Sequence, residues 1–333
     1  MTDLFAAARA LVEPSKGLLA ADESTPTAAK RLAAYGIASS PELRRQFRDL
    51  FLSMEGVERY LSGVILYEET FAQKGSDGKL FPDSLEARGI APGIKVDEGT
   101  EPFPGSAEEL ITKGLVGLPE RLAAFKKGGA VFTKWRAVIR IEGDALPTAA
   151  AVLENAKRLA SYAKEAQVAG LVPIVEPEVL LAGKHSRARS QAVIQETLAT
   201  LFSALAAQGV DLGGLLLKTA MARSGDASAH KDASEEVAAA TLEALVASVP
   251  REVAGIVFLS GGESPDEATA NLAAITREAR RVEAPWPLTF SYARALQEEA
   301  LALWKGKAEN VEAARAAFRA RLEKVQAALV SSP

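Results

Sequence analysis

Gly213-Gly214-Leu215-Leu216-Leu217-Lys218 is a short apolar run, opened by two glycines, that ends on a cation. A run of that length and composition reads as a fully buried strand, where a charged side chain is costly. Similar runs recur along the chain at Gly17–Asp22, Gly63–Glu69, Pro92–Val96, Ala130–Ile141, Leu171–Val179, Gly255–Gly262 and Pro287–Tyr292, and the first run itself extends to Met221. Between most of them lie segments rich in alanine, leucine and glutamate with helical period, such as Ser234–Val249 and Pro265–Arg281. Strands that alternate with helices pair in parallel through right-handed crossovers. Eight such units in 333 residues predict a (β/α)8 TIM barrel, one domain over 1–333, with a terminal helical segment and short tail over 311–333. No GxGxxG follows the first run, which argues against an open nucleotide-binding sheet. Pro173 and Pro177 each remove a ladder donor, so the ladder is expected to end or bulge at Pro177.

Composition narrows the function classes. The chain is 48% hydrophobic and 25% charged, enough for a well-buried core. A net charge of −4 without a long basic run gives no reason to expect nucleic acid as a partner. Absence of cysteine excludes disulfides and thiol catalysis. No signal-like N-terminal segment is visible and no apolar stretch reaches membrane-spanning length, so a soluble, cytoplasmic protein with no membrane partner is expected. With only His185 and His230, and no HxxxH or HExxH spacing, neither a histidine-based metal site nor a cofactor is expected.

The charges at the strand ends carry the chemistry. Side chains two apart on a strand share a face, so Lys134 and Arg136 point one way and Trp135 the other, and Glu176 pairs in direction with Glu178. The first strand adds Asp22 and Ser24, and the third adds Lys95. If these faces line the barrel, cations and carboxylates surround one cavity at its C-terminal mouth, where chemistry on this fold sits. A buried lysine beside a second cation becomes a candidate amine nucleophile. Lys218 would then attack a ketone and form a Schiff base, with Lys134 as its cationic neighbour, Glu176 shuttling protons and Asp22 acting as base on a departing hydroxyl. Ser260-Gly261-Gly262 after the seventh strand and Ser291-Tyr292-Ala293-Arg294 after the eighth suit a phosphate. Each residue also has a structural reading: Lys134 and Arg136 as ion pairs of Glu176 and Glu178, Asp22 as a helix cap, and Gly261-Gly262 as a tight turn. Ser264-Pro265-Asp266-Glu267 reads as a helix start with a capping box.

Eight collinear segments resemble the class I, Schiff-base-forming fructose-1,6-bisphosphate aldolases, from about Leu18 to about Lys307. They are Leu18-Leu-Ala-Ala-Asp-Glu-Ser, Gly63-Val-Ile-Leu-Tyr-Glu-Glu-Thr, Gly93-Ile-Lys-Val-Asp, Lys134-Trp-Arg, Val175-Glu-Pro-Glu, Leu215-Leu-Leu-Lys, Phe258-Leu-Ser-Gly-Gly and Leu288-Thr-Phe-Ser-Tyr. The resemblance implies that Lys218 forms the Schiff base, Glu176 exchanges protons, Asp22 assists carbon–carbon cleavage, and Lys134 and Glu178 tune the charge. It implies a site for the ketone-side phosphate at Ser260, Gly261, Gly262, Ser291 and Arg294, with Arg31 also reaching phosphate. Ser24, Thr27 and Lys95 match the site for the other phosphate, and Arg136 is counted among the substrate-binding groups. The implied activity is metal-independent, reversible cleavage of fructose 1,6-bisphosphate, in a homo-oligomer that is often a tetramer. Rival readings are a Schiff-base aldolase for another sugar phosphate, such as sedoheptulose 1,7-bisphosphate, or a barrel kept only for binding. Three departures from the family pattern stand out. Ala293 replaces a glycine, Thr27 replaces a serine, and the sequence given stops at Pro333 without the tail ending in tyrosine that serves proton transfer in many members. Either another residue, water or the substrate phosphate moves that proton here, or bisphosphate turnover is slower.

Overall fold

The computed structural model describes residues 3–330. Residues 1–2 and 331–333, which the predicted domain and tail include, lie outside the described residues. The strands are β1 (Gly17–Ala21), β2 (Leu61–Leu66), β3 (Ala91–Lys95), β4 (Thr100–Phe103), β5 (Ser106–Thr112), β6 (Phe132–Ile139), β7 (Val172–Val179), β8 (Leu216–Thr219), β9 (Gly255–Phe258) and β10 (Leu288–Tyr292). Eight of them close a barrel in the order β1-β10-β9-β8-β7-β6-β3-β2, with every neighbouring pair parallel. β4 and β5 form a separate antiparallel hairpin. The fold is the predicted (β/α)8 barrel with helices at the C-terminal end, including a single helix over Val311–Val330.

Two apolar layers build it. Inside, Leu18, Ala20, Ile65, Phe132, Val172, Ile174, Leu216 and Val257 pack together, and the helix Leu4–Leu11 closes the bottom with Ala8 and Leu11. Full burial of a leucine such as Leu11 contributes about 2 kcal/mol. Phe132 fills the interior so closely that a Cβ on Gly93 would lie 2.2 Å from its ring, which explains a glycine within a strand. Outside, the opposite strand faces, including Trp135, Val175, Leu217 and Phe258, pack under the helices. Apolar residues thus fill the N-terminal half of the barrel, and the charged ends of the strands are left at the other.

Several strand boundaries differ from expectation. Gly213 and Gly214 belong to a 3-10 turn over Leu212–Gly214, and β8 has only four residues. Glu68 and Glu69 sit in a short helix, Glu68–Phe71, rather than at a strand end. β7 runs unbroken through Pro177, in register with β6 up to Ile139↔Val179. The N–H groups of Val172 and Leu180 donate to β6-side carbonyls, so the even-numbered positions between them face β6 and Pro173 and Pro177 face β8. Pairing with β8 covers only Ile174 and Val175, so neither proline removes a bond that the ladder needs. The helix Pro265–Arg281 starts as expected, with the Ser264–Glu267 capping box and Pro265 in the first turn.

Candidate active site

A cavity of about 910 Å³ opens at the C-terminal end of the barrel. Its wall carries Asp22, Ser24, Thr27, Lys95, Lys134, Arg136, Glu176, Glu178, Lys218, Ser260, Gly261, Ser291 and Arg294, all expected from the sequence. The strand alternation places them. Lys134 and Arg136 face inward while Trp135 stacks outward on Tyr162, with ring centroids 5.3 Å apart.

The centre is a chain of buried charges. Lys218 Nζ lies 3.0 Å from Glu176 Oε1, and Lys134 Nζ lies 2.9 Å from Glu176 Oε2 and 2.8 Å from Asp22 Oδ2. Arg136 pairs with Glu178, and Lys95 with Asp97, whose other oxygen accepts from the backbone N–H of Arg136 at 3.2 Å. Burial by itself would raise the Asp22 carboxyl, but Lys134, Lys218 and Lys95 outweigh it and hold the group well below the ordinary carboxylate range. Glu176 follows the same logic: burial works upward, while Lys134, Lys218 and Arg136 bring it below its usual value. For Lys134, burial works against the charge, yet Asp22, Glu176 and Asp97 hold its ammonium well above the usual lysine value. Glu176 is therefore a carboxylate within proton-transfer reach of the Lys218 amine, and Asp22 is a carboxylate beside the same cavity. The ion-pair reading of Lys134 and Arg136 is realised too, and it is what sets these charge states.

Two expected residues are not in the cavity wall. The Arg31 guanidinium is held by Glu23 and donates to Gln297 Oε1 at 2.6 Å. Burial would raise the Glu23 carboxyl, and Arg48 and Arg31 bring it below its ordinary value, so this acid draws Arg31 toward itself. Gly262 lies behind Ser260 and Gly261, where a Cβ would stand 3.5 Å from Arg294 Nη2. Asp22 does not cap a helix: Thr25–Ala33 starts from Ser24, whose hydroxyl contacts Thr27 Oγ1 at 3.0 Å. Ala293 sits at φ −106°, so alanine occupies that place without a left-handed backbone. Ser291 Oγ is buried at the cavity wall with no hydrogen-bond partner among the described residues. Glu23 and Asp97 were missed by the sequence reading, although each stands on an already quoted segment, one after Asp22 and two after Lys95.

The profile of the family described as fructose-bisphosphate aldolase class-I matches residues 3–332. The chain belongs to the class I fructose-bisphosphate aldolase family. It is 48% identical over 313 residues to fructose-bisphosphate aldolase 2 of Caenorhabditis elegans, covering 94% of this chain and 85% of that protein. Fructose-bisphosphate aldolase B of Ovis aries is 47% identical over 315 residues, covering 94% and 86% respectively. Among solved structures, the fructose-bisphosphate aldolase of Plasmodium falciparum, crystallised with TRAP and a small-molecule inhibitor, superimposes with a TM-score of 0.95. That match has 42% identity and covers 98% of this chain and 93% of that one. The enzyme is accordingly a carbon–carbon lyase.

Proposed function

We propose that the enzyme reversibly cleaves fructose 1,6-bisphosphate to dihydroxyacetone phosphate and glyceraldehyde 3-phosphate through a Schiff base on Lys218. One observation carries the assignment: the buried Lys218 Nζ stands 3.0 Å from a carboxylate, Glu176, that is held ionised by flanking cations. Glu176 takes a proton from the Lys218 ammonium, and the free amine adds to the substrate ketone carbon. Glu176 returns the proton as the carbinolamine loses water, leaving an iminium that draws electrons from the adjacent carbon–carbon bond. Asp22 accepts the proton of the hydroxyl on the aldehyde side, that hydroxyl becomes the aldehyde, and the bond pair passes into an enamine on Lys218. Protonation of the enamine and hydrolysis release dihydroxyacetone phosphate and regenerate the amine. The iminium serves as the electron sink, so no metal is required as Lewis acid. Lys134 keeps both carboxylates ionised, and Glu178 neutralises Arg136 beside them.

Ser260, Gly261, Ser291 and Arg294 supply the wall for the ketone-side phosphate, with Gly262 completing the turn behind it. Ser24, Thr27 and Lys95 lie on the wall for the distal one. Arg31 would reach the phosphate from a guanidinium whose Nη1 is already held by Glu23 and Gln297. A highly charged sugar bisphosphate does not cross membranes unaided, which supports placement in the cytoplasm, and family membership supports a homo-oligomer, tetrameric by resemblance. No helix among the described residues is long and apolar enough to cross a membrane.

Borohydride trapping with dihydroxyacetone phosphate in the presence of EDTA, followed by peptide mass mapping, tests the assignment. A reduced adduct on Lys218 is the expected result, and its absence on folded protein refutes the lysine mechanism. Ratios of kcat/KM for six- and seven-carbon bisphosphates then decide the substrate.

A further inference from the structure

The turn after β9 separates two cavities. Leu180, Leu259, Ser260 and Gly261 line both the large site and a second cavity of about 20 Å³ behind it, whose wall also carries His185, Arg223 and Glu263. The turn is tight. The Glu263 N–H donates to the Ser260 carbonyl at 2.8 Å, and its central residues Gly261 and Gly262 have φ of +45° and +105°. Positive φ at both central positions is the mirror-image turn that glycine tolerates and most other residues do not.

Glu263 closes this turn and places an acid directly behind a surface proposed to bind phosphate. Its side chain is 3% exposed, and Oε1 accepts from Arg223 Nη1 at 2.6 Å and from Asn271 Nδ2 at 2.7 Å. Arg223 lies in the segment after β8, the strand that carries Lys218, and Asn271 lies on the helix Pro265–Arg281. Burial holds the Glu263 carboxyl above its ordinary value, and Arg223 and Asn271, which favour the anion, offset that only in part. Without its guanidinium the buried acid would be costly to ionise, and wherever it is ionised it would repel a phosphate across the turn. Arg223 does not reach the large cavity, whose wall does not include it. Its charge is directed to the back of the turn.

We propose that Arg223 and Glu263 are positioning residues for the ketone-side phosphate: the pair ties the Ser260–Glu263 turn to the segment after the lysine strand, and Arg223 cancels the acid behind it. This rests on the phosphate assignment given above. The two charges then act on phosphate binding with opposite signs. Arg223→Met leaves the acid uncompensated, and at a pH high enough to keep it ionised the KM for dihydroxyacetone phosphate in the condensation direction rises about tenfold, with kcat changing much less and the effect fading as the pH is lowered and the acid protonates. Glu263→Gln keeps the acceptor for Asn271 and removes the negative charge, so KM falls about threefold. Combining Glu263→Gln with Arg223→Met brings KM back to within about threefold of wild type.

A purely structural pair gives a lowered Tm in both single variants with KM unmoved, or KM rising in both, and either result overturns the proposal. If Arg223→Met does not fold, Glu263→Gln decides alone, because a rise in its KM refutes the charge argument. Failure of wild-type enzyme to be trapped with dihydroxyacetone phosphate is a different failure and sinks the functional assignment instead. In that event the affinity of inorganic phosphate for folded wild type and variants still tests the pair: weakening by Arg223→Met and tightening by Glu263→Gln support it, and equal affinities refute it.

Discussion

Lys134→Met removes the cation that stands between Asp22 and Glu176. Its Nζ lies 2.8 Å from one carboxylate and 2.9 Å from the other, in a side chain that is 4% exposed. Methionine keeps much of the length and volume, so the charge is the main thing lost. At an effective dielectric constant of about 20, each contact is an attraction of about 6 kcal/mol. The cost of burying three charges offsets most of that, and removing one partner of a buried set costs on the order of 3–5 kcal/mol. Lys218 still faces Glu176 from 3.0 Å, so the larger share of the loss falls on Asp22. The pH dependence has a definite sign. In the wild type, burial pushes both carboxyls upward but the lysines hold them below their ordinary values. Stability from such groups is fully present above the unfolded carboxylate pKa and is lost as pH falls through the folded one. Without Lys134, burial of Asp22 is less opposed, so the variant recovers by protonating that group at a higher pH than wild type can. The stability gap is therefore full at about pH 7.5 and narrows toward about pH 4.5. Urea unfolding followed by tryptophan fluorescence at both values measures it, beside kcat for bisphosphate cleavage, which falls at least about 100-fold. A gap below about 1 kcal/mol that does not change with pH would refute the view that Lys134 holds these carboxylates ionised.

Two further variants separate binding from chemistry. Asp22→Asn removes the base for the departing hydroxyl, so bisphosphate cleavage falls about 100- to 10,000-fold while borohydride still traps dihydroxyacetone phosphate on Lys218; an equal loss of trapping shows that Asp22 acts earlier. Gly262→Ala places a Cβ at φ +105°, which costs about 1–3 kcal/mol and raises the KM for dihydroxyacetone phosphate; an unchanged Tm and KM show that the turn relaxes freely.

The barrel was legible because its parallel strands are buried on both faces and therefore read as apolar runs bounded by glycine or proline. The hairpin β4–β5 was not, since Thr100–Thr112 is largely solvent-facing and carries Pro102 with a turn at Gly105. The helix Leu4–Leu11 is amphipathic with nothing in its own sequence to mark its place, and only the assembled barrel shows that it closes the floor. Among the site residues, alternation along single strands placed Lys134, Arg136, Glu176 and Glu178 on the cavity side. Arg31 was beyond that reasoning because its position depends on Gln297, 266 residues away, and on the burial of Glu23. Glu263 passed as part of a polar turn before a capping box, and nothing local to it points to Arg223, 40 residues earlier. One-strand periodicity finds a face; pairs made between loops of different strands leave no such trace.

The partner list of the cations divides the cavity by task. Lys95, Lys134 and Arg136 each have a carboxylate, and Lys218 shares Glu176 with Lys134, so the centre is already balanced before any ligand enters. Among the described residues, the exposed Arg294 pairs with no carboxylate and the buried Ser291 Oγ has no hydrogen-bond partner. On the proposed reading, a phosphate arriving at the mouth would meet uncommitted donors at the end of β10 and just after it, away from Lys218. Were Lys134 or Arg136 to bind it instead, a buried carboxylate would lose its partner, at several kcal/mol. Binding at the rim would leave the central ion pairs intact, and those pairs keep Glu176 and Asp22 ionised, as the proton transfers of the proposed Schiff-base route require.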